Sequence, residues 1–300
     1  MPSTHSSIAI LYAFTANLGV AAVKAGAATW TGSGSLLAEA IHSFADCGNQ
    51  VLLYIGMKRS EKAATRKHPM GFGRESYIWS MMVAFILFSV GGIFSVYEGW
   101  LRYTHPHTVE NVDVALLVLM VALGLEYGSL KRALAAIQQE KGKHSLWQWF
   151  KETQSSELMV VIGEDVTALA GLMIATAMLG LTLLTGNTAY DAAGSILIGI
   201  LLITVAIVIG TEVHSLLLGE AAEELSDNIR QYLKSQPCVL QVFNVWAIKH
   251  GKNVIVAIKA EFQPDMTVLS AVDAINAMER QIKQTHSRVK WIFFEIDNMD

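Results

Sequence analysis

Three side chains with metal-binding chemistry lie in one strongly apolar stretch near the start of the chain. Glu39, His42 and Asp46 belong to residues 35–56, which have the length and composition of a membrane-spanning helix. At 100° per residue they fall within an arc of about 60° and share one helix face. Each ionisable group in hydrocarbon costs at least about 2.5 kcal/mol, so this face requires a partner. Imidazole and carboxylate ligands suit Zn²⁺, so the face predicts a metal site; the alternative is a polar seam bonded to neighbouring helices.

Two adjacent carboxylates in a later apolar segment complement that face. Glu164 and Asp165 would repel each other inside a membrane unless they were protonated or bound to a cation. With His42 and Asp46 they supply four ligands, the number that a tetrahedral Zn²⁺ site takes at about 2.0–2.2 Å. The sequence therefore predicts a metal site made of His42, Asp46, Glu164 and Asp165.

Six apolar segments position these residues, and each is long enough to cross a bilayer. They are residues 8–30, 35–57, 77–103, 112–136, 157–184 and 190–209. The chain of 300 residues is 52% hydrophobic and 16% charged, whereas an ordinary soluble domain is about 25% charged. We therefore predict an α-helical, multi-pass integral membrane protein. The net charge of −4 argues against a nucleic-acid partner.

The charges in the loops predict the orientation. Loops after the second and fourth segments are rich in Lys and Arg, whereas those after the first, third and fifth are not. By the positive-inside rule both the N- and the C-terminus are cytoplasmic. The expected location is a bacterial inner membrane or an organellar membrane.

The composition changes after residue 210 and predicts a second domain. Residues 220–235 and 270–286 have helical patterns, whereas 239–248, 254–262 and 289–296 have strand patterns. The order αββαβ predicts a small α+β cytoplasmic domain. We therefore divide the chain into a transmembrane domain, 1–210, and a cytoplasmic domain, 211–300. A domain this small is marginal alone, so we expect it to dimerise with a second copy.

Several motifs resemble those of the cation diffusion facilitator family, whose members exchange divalent metals for protons. They are TGSGSLLAEAIHSFAD (31–46), HPMGFGR (68–74), the Glu164-Asp165 pair with Gly171, and DAAGSILIG (191–199). The resemblance covers nearly the whole chain and is closest to the branch containing the mitochondrial zinc transporter. It implies a homodimer with six helices per subunit, a metallochaperone-like cytoplasmic domain, and one transport site between the second and fifth spans.

The fifth span departs from the family pattern of His or Asp, three residues, then Asp. Asp165 matches the last position, but the first falls on Val161, which cannot bind metal. Glu164 lies about one turn from Val161 on nearly the same face and can substitute for it. Glu39 and Glu157 are the other candidates to complete the metal shell.

The tail departs from the family as well. The positions of the family's cytoplasmic zinc cluster fall on Phe243, Lys259, Val272 and Glu295. Since most of these side chains cannot bind zinc, the resemblance implies a dimerisation domain without that cluster.

Together these features predict a secondary transporter that exports a divalent transition metal, zinc first, in exchange for protons. Metal binds deprotonated ligands, so loading expels protons and protonation releases the metal. The metal is the substrate, no cofactor is expected, and the chain is not expected to be an enzyme. Glu126 in the fourth segment is predicted either to pair with Lys24 or to join a proton path.

Two alternatives stay open at this stage. Oxygen-rich ligation also suits Mn²⁺, Fe²⁺ or Co²⁺ as the physiological ion. A membrane-bound metal sensor would bind an ion without moving it. Metal flux into sealed vesicles distinguishes the sensor from the transporter.

Overall fold

The computed structural model describes residues 4–106, 108–142 and 144–299. Long helices form the first two thirds of the chain: α1 (Thr4–Thr31), α2 (Gly34–Ser60), α3 (Glu75–Ile86), α4 (Phe94–Thr104), α5 (Val112–Lys141), the short α6 (Leu146–Glu152), α7 (Ser156–Thr185) and α8 (Ala189–Leu218). A tail of α9 (Glu223–Lys234), β1 (Val239–His250), β2 (Asn253–Phe262), α10 (Val268–Thr285) and β3 (Val289–Ile296) follows. The predicted fold class, a helical membrane domain followed by a small α+β domain, is confirmed.

Among the described helices, four are long and apolar enough to cross a membrane. They are Glu75–Thr104, Val112–Gln138, Ser156–Thr185 and Ala189–Leu218, which match the third to sixth predicted segments. The last one does not end at residue 209 as predicted. It continues through Gly210 to Leu218 because Val213 and Leu216, three residues apart on one helix face, remain buried. α1 and α2 are also long, with 28 and 27 residues, and the count of six spans stays a prediction.

The third span is continuous from α3 to α4 through a π-helical stretch, Leu87–Ile93. Glycines let this span approach α8 very closely. A Cβ added to Gly99 would lie 2.9 Å from the Ala192 carbonyl oxygen, and one added to Gly199 would lie 2.7 Å from the Val96 nitrogen. Small residues at a helix interface allow such backbone contact. The span and α8 therefore form a tightly packed pair.

The start of α2 is fixed by a carboxylate from α8. Asp191 accepts hydrogen bonds from the Ser33 hydroxyl at 2.7 Å, the Gly34 amide at 2.5 Å and the Ser35 amide at 3.2 Å. Amides in the first turn of a helix have no partner within the helix, and a buried carboxylate satisfies them and the helix dipole together. This contact sets the position of α2 and of the polar face that begins five residues later at Glu39.

The tail forms a three-stranded sheet in the order β1-β2-β3. β1 and β2 are antiparallel, whereas β2 and β3 are parallel and are joined through α10. A parallel pair needs such a crossover. α9 and α10 contribute Ile229, Leu233, Met278 and Ile282 to an apolar core with the strands. The predicted αββαβ order is confirmed.

By compactness the chain divides into two units. The first comprises residues 1–58, 78–151 and 156–213; the second comprises 59–77, 152–155 and 214–300. The basic loop after α2 thus belongs with the tail. Within that second unit the Tyr77 hydroxyl donates to the Gly251 carbonyl at 3.2 Å, and a Cβ on Gly73 would lie 2.8 Å from the His250 carbonyl oxygen. The functional division at residue 210 stays a prediction.

Candidate metal site

Helices of the first unit enclose a cavity of about 300 Å³. Four carboxylates line it: Asp46 from α2, Glu126 from α5, and Glu164 and Asp165 from α7. Arg132 of α5 also lies on the wall. Carboxylates from three helices that converge on one space create a strongly negative site, and such a site favours a cation.

Three of the four predicted ligands, Asp46, Glu164 and Asp165, therefore border the same cavity. The fourth, His42, lies one turn along α2, with its Nδ1 at 3.4 Å from Asp46 Oδ1. His42 is 1% exposed, and within the described chain neither of its ring nitrogens has a hydrogen-bond partner. Buried polar atoms are normally satisfied, so these nitrogens are available to a proton or a metal ion.

Asn49 holds Glu164 and was missed from the sequence. Its Nδ2 donates to Glu164 Oε1 at 2.6 Å, and both side chains are buried. Asn49 lies three residues after Asp46 and seven after His42, so it occupies the same face of α2. The periodicity of α2 places Asn49 on this face, but an uncharged amide does not require a partner in a membrane as strongly as the three ionisable residues do.

Helix α5 supplies a second contact to the predicted ligands. The Ser129 hydroxyl lies 3.5 Å from both Oδ atoms of Asp165. Glu126, three residues earlier, lines the cavity. The structural pair predicted between Glu126 and Lys24 is wrong, because Lys24 Nζ lies 3.4 Å from Glu39 Oε2 instead. This leaves Glu126 as a candidate for the proton path.

The predicted ligands lie close together without forming a closed coordination shell. In the part of the chain that the structure describes, no three His, Cys, Asp or Glu side chains could hold a metal ion together. Val161, at the position where the resembled family has a ligand, lines the cavity one turn before Asp165. Glu157 lies in the first turn of α7 and is not among the lining residues. The four-ligand set stays a prediction.

Two of the tail positions that correspond to the zinc cluster, Lys259 and Glu295, make other contacts. Lys259 Nζ lies 3.1 Å from Asp297 Oδ2, and this ion pair lowers the pKa of the Asp297 carboxyl. Lys259 also stands opposite Glu295 in the register of β2 and β3. An ammonium group at this point repels a divalent cation. The expectation of a tail without that cluster stays a prediction.

Comparisons with known proteins agree on one family. Residues 10–218 match the cation efflux transmembrane domain. The mitochondrial proton-coupled zinc antiporter of Xenopus laevis is 33% identical over 244 residues, which cover 80% of this chain and 44% of that protein. The human antiporter of the same name is 33% identical over 245 residues, with 80% and 43% covered. Metal tolerance protein C4 of Arabidopsis thaliana is 30% identical over 246 residues, with 80% and 53% covered.

This chain thus spans about half the length of the curated relatives that it matches. The domain match nevertheless extends over more than half of this chain. In this family the metal is the transported substrate and not a resident cofactor. The chain therefore belongs to the cation efflux family, also called cation diffusion facilitators.

Proposed function

We propose that this chain exports Zn²⁺ in exchange for protons and that His42, Asp46, Glu164 and Asp165 bind the ion in transit. The observation that carries the proposal is the convergence of Asp46, Glu164 and Asp165 on one cavity, with His42 one turn away. Imidazole and carboxylate oxygens are ligands that Zn²⁺ accepts. Relatives named proton-coupled zinc antiporters support zinc as the ion and protons as the counter-ion.

The cavity position supports entry from the cytoplasm. Along α2 the cavity extends from Ser43 to Gln50, and along α5 it reaches Arg132. Gln50 and Arg132 lie towards the C-terminal ends of α2 and α5, and a basic loop follows each of these helices. If those loops are cytoplasmic, as the positive-inside rule predicts, an ion reaches the carboxylates from the cytoplasm. Both termini are then cytoplasmic, in a bacterial inner or organellar membrane.

The coupling to protons follows from the unsatisfied polar atoms. Both His42 ring nitrogens and Asp46 Oδ1 are buried without a hydrogen-bond partner in the described chain. A proton or a divalent cation can satisfy them, but the two cannot occupy the same lone pair. Metal loading therefore expels protons. Glu126, on the same cavity wall, is placed to carry them away.

The family resemblance supports a homodimer, and the tail is the expected site of association. Its sheet leaves Trp246 60% exposed and Phe293 53% exposed, both in register with Ala257. Exposed aromatic residues in one row favour a protein contact over water. The assembly proposed here is two copies of this chain in one bilayer.

Flux in sealed proteoliposomes tests the proposal. Inward Zn²⁺ movement should drive outward proton movement, and Asp46→Ala should reduce zinc flux to background while the protein keeps its elution volume. Asp113→Ala is the matched control, because Asp113 is an exposed carboxylate in the first turn of α5. Zinc binding without flux would support a sensor. Faster flux with Mn²⁺, Fe²⁺ or Co²⁺ would reassign the ion.

A further inference from the structure

We propose that Glu39 is a second, transient position for the transported divalent cation and that Lys24 is a tethered cation that occupies it between transport events. This inference rests on the proposed transport function and extends it beyond the four-ligand site. It assigns a role to two charged residues that neither line the cavity nor belong to the ligand set.

Lys24 and Glu39 form a buried ion pair between α1 and α2. Lys24 Nζ lies 3.4 Å from Glu39 Oε2 and donates a hydrogen bond to the Ser43 hydroxyl at 2.8 Å. The two charged side chains are 1% and 0% exposed. The other carboxylate oxygen, Glu39 Oε1, is buried and has no hydrogen-bond partner within the described chain. One oxygen of a fully buried carboxylate is therefore available to a ligand.

The ion pair is next to the cavity, because Lys24 is hydrogen-bonded to a residue of the cavity wall. Ser43 lines the cavity, and Glu39 lies four residues, about 6 Å, nearer to the start of α2. Asp46 and Gln50 lie on the opposite side of Ser43 along the helix. The Lys24 ammonium thus stands at the end of the cavity, between the ion site and Glu39. A cation that leaves Asp46 towards the loop between α1 and α2 meets this pair first.

Helix α7 approaches Glu39 very closely at Gly171. A Cβ added to Gly171 would collide with Glu39 Oε1. The absence of a side chain at Gly171 lets the free oxygen face the backbone of α7, so no other side chain separates the two helices there. The contact places Glu39 between the two helices that carry the predicted ligands.

Burial of this ion pair costs free energy. Removing two charges from water costs several kcal/mol per ion, and their attraction often does no more than offset this penalty. A buried pair is therefore weak evidence of stabilisation. The ammonium does neutralise Glu39, so an arriving cation finds a carboxylate that is already paired. A divalent ion repels Lys24 and attracts the carboxylate more strongly, because its charge is twice as large.

The Lys24 ammonium and the metal therefore bind Glu39 in turn as the metal leaves the site. The metal displaces the Lys24 ammonium from Glu39, while the ammonium keeps its hydrogen bond to the Ser43 hydroxyl, and binds Glu39 for a short time. When the metal leaves, the tethered ammonium returns to Glu39. Its return prevents Glu39 from retaining the ion and blocks movement back into the cavity.

Zinc stoichiometry in the purified full-length protein provides the first test. The parent should bind one Zn²⁺ per chain in equilibrium dialysis. Lys24→Met removes the competing cation, so this variant should bind two Zn²⁺ ions per chain. Its rate of release of the second ion should be at least tenfold lower than the transport rate of the parent. Adding Glu39→Gln to Lys24→Met should restore one. A single Zn²⁺ in Lys24→Met, or two in the double variant, would overturn the proposal.

The double variant Lys24→Glu with Glu39→Lys provides a second test. If Lys24→Met does not fold, this double variant is sufficient to test the proposal. The exchanged pair keeps both charges, so a purely structural pair predicts parental flux, and that result overturns the proposal. The expected result is at least a tenfold loss of flux with one Zn²⁺ still bound per chain. A parent that binds zinc without moving it contradicts the transport function and this inference together. A transporting parent with parent-like variants contradicts this inference alone.

Discussion

The two units of the molecule bury polar groups to different extents: the second unit buries Lys249 and His250 beside an otherwise apolar core. The core of the tail consists of apolar side chains such as Leu233, Val256 and Ile258. The membrane unit buries Lys24, Glu39, His42, Asn49 and Glu164. The core of the tail is thus mostly apolar, whereas the membrane unit buries several charged and polar side chains.

The difference follows from the solvent around each unit. In water, burial of apolar surface stabilises a fold, so the tail gains free energy from its core. In a bilayer the lipid is as apolar as the helices, so helix association relies on close packing and polar contacts. Buried charges there are costly and mark a route for ions or protons. Stability and transport should therefore respond to substitutions in different units.

A core truncation in the tail should produce the largest effect on stability. Leu233 is fully buried in α9, and Leu233→Ala should destabilise the tail by about 2–5 kcal/mol because it leaves a cavity. Hydrogen exchange of β1 and β2 in the full-length protein measures this change. The exposed Leu240→Ala, in β1, is the control. Loss of zinc affinity at the membrane site in Leu233→Ala would contradict the separation of the two units.

A single carboxylate in the membrane unit should control metal affinity. Glu164→Gln should weaken zinc binding by about 10- to 100-fold and shift the pH dependence of flux, because it removes a charged ligand. Competition with a fluorescent chelator measures the affinity. The double variant Val161→His with Glu164→Gln should recover transport, since Val161 already lines the cavity. If Glu164→Gln alone transports like the parent, Glu164 is not a metal ligand and has a structural role, in which it accepts the hydrogen bond from Asn49.

The smallest effect concerns the tail at acidic pH. His250 is 8% exposed; burial lowers the pKa of its imidazole, and the nearby charges of Arg74 and Lys290 lower it further. The folded pKa is thus below the unfolded value of about 6.5. As the pH falls below about 6.5, the unfolded chain binds the proton more readily and the tail loses stability. Above that pH the residue makes no pH-dependent contribution.

His250→Gln tests this effect by hydrogen exchange of the tail at about pH 7.5 and pH 5.5. The variant should lose less stability between the two conditions than the parent. His286→Gln is the control, because His286 is half-buried beside the end of α10 and lacks the burial of His250. An unchanged pH dependence in His250→Gln would show that another group destabilises the tail in acid.

Local periodicity was sufficient for much of the architecture. The apolar segments predicted the long helices. The alternation in residues 254–262 predicted β2, in which buried and half-buried residues alternate. The same periodicity placed His42 and Asp46 on one face of α2. It failed at the end of α8, where Gly210 suggested a break. Apolar residues on both sides of that glycine keep the helix packed, and tertiary packing overrides a single weak residue.

The sequence by itself determined which helix faces carry charge, the order of the elements and the membership of the family. Only the tertiary structure decided the partners of those charges. Lys24 pairs with Glu39, Glu164 accepts a hydrogen bond from Asn49, and Asp191 binds the first amides of α2. The physical reason is that periodicity along one helix defines a face but not the rotation of that helix against its neighbours. A partner on another helix is fixed only when close packing, such as that of Gly99 and Gly199, sets that rotation.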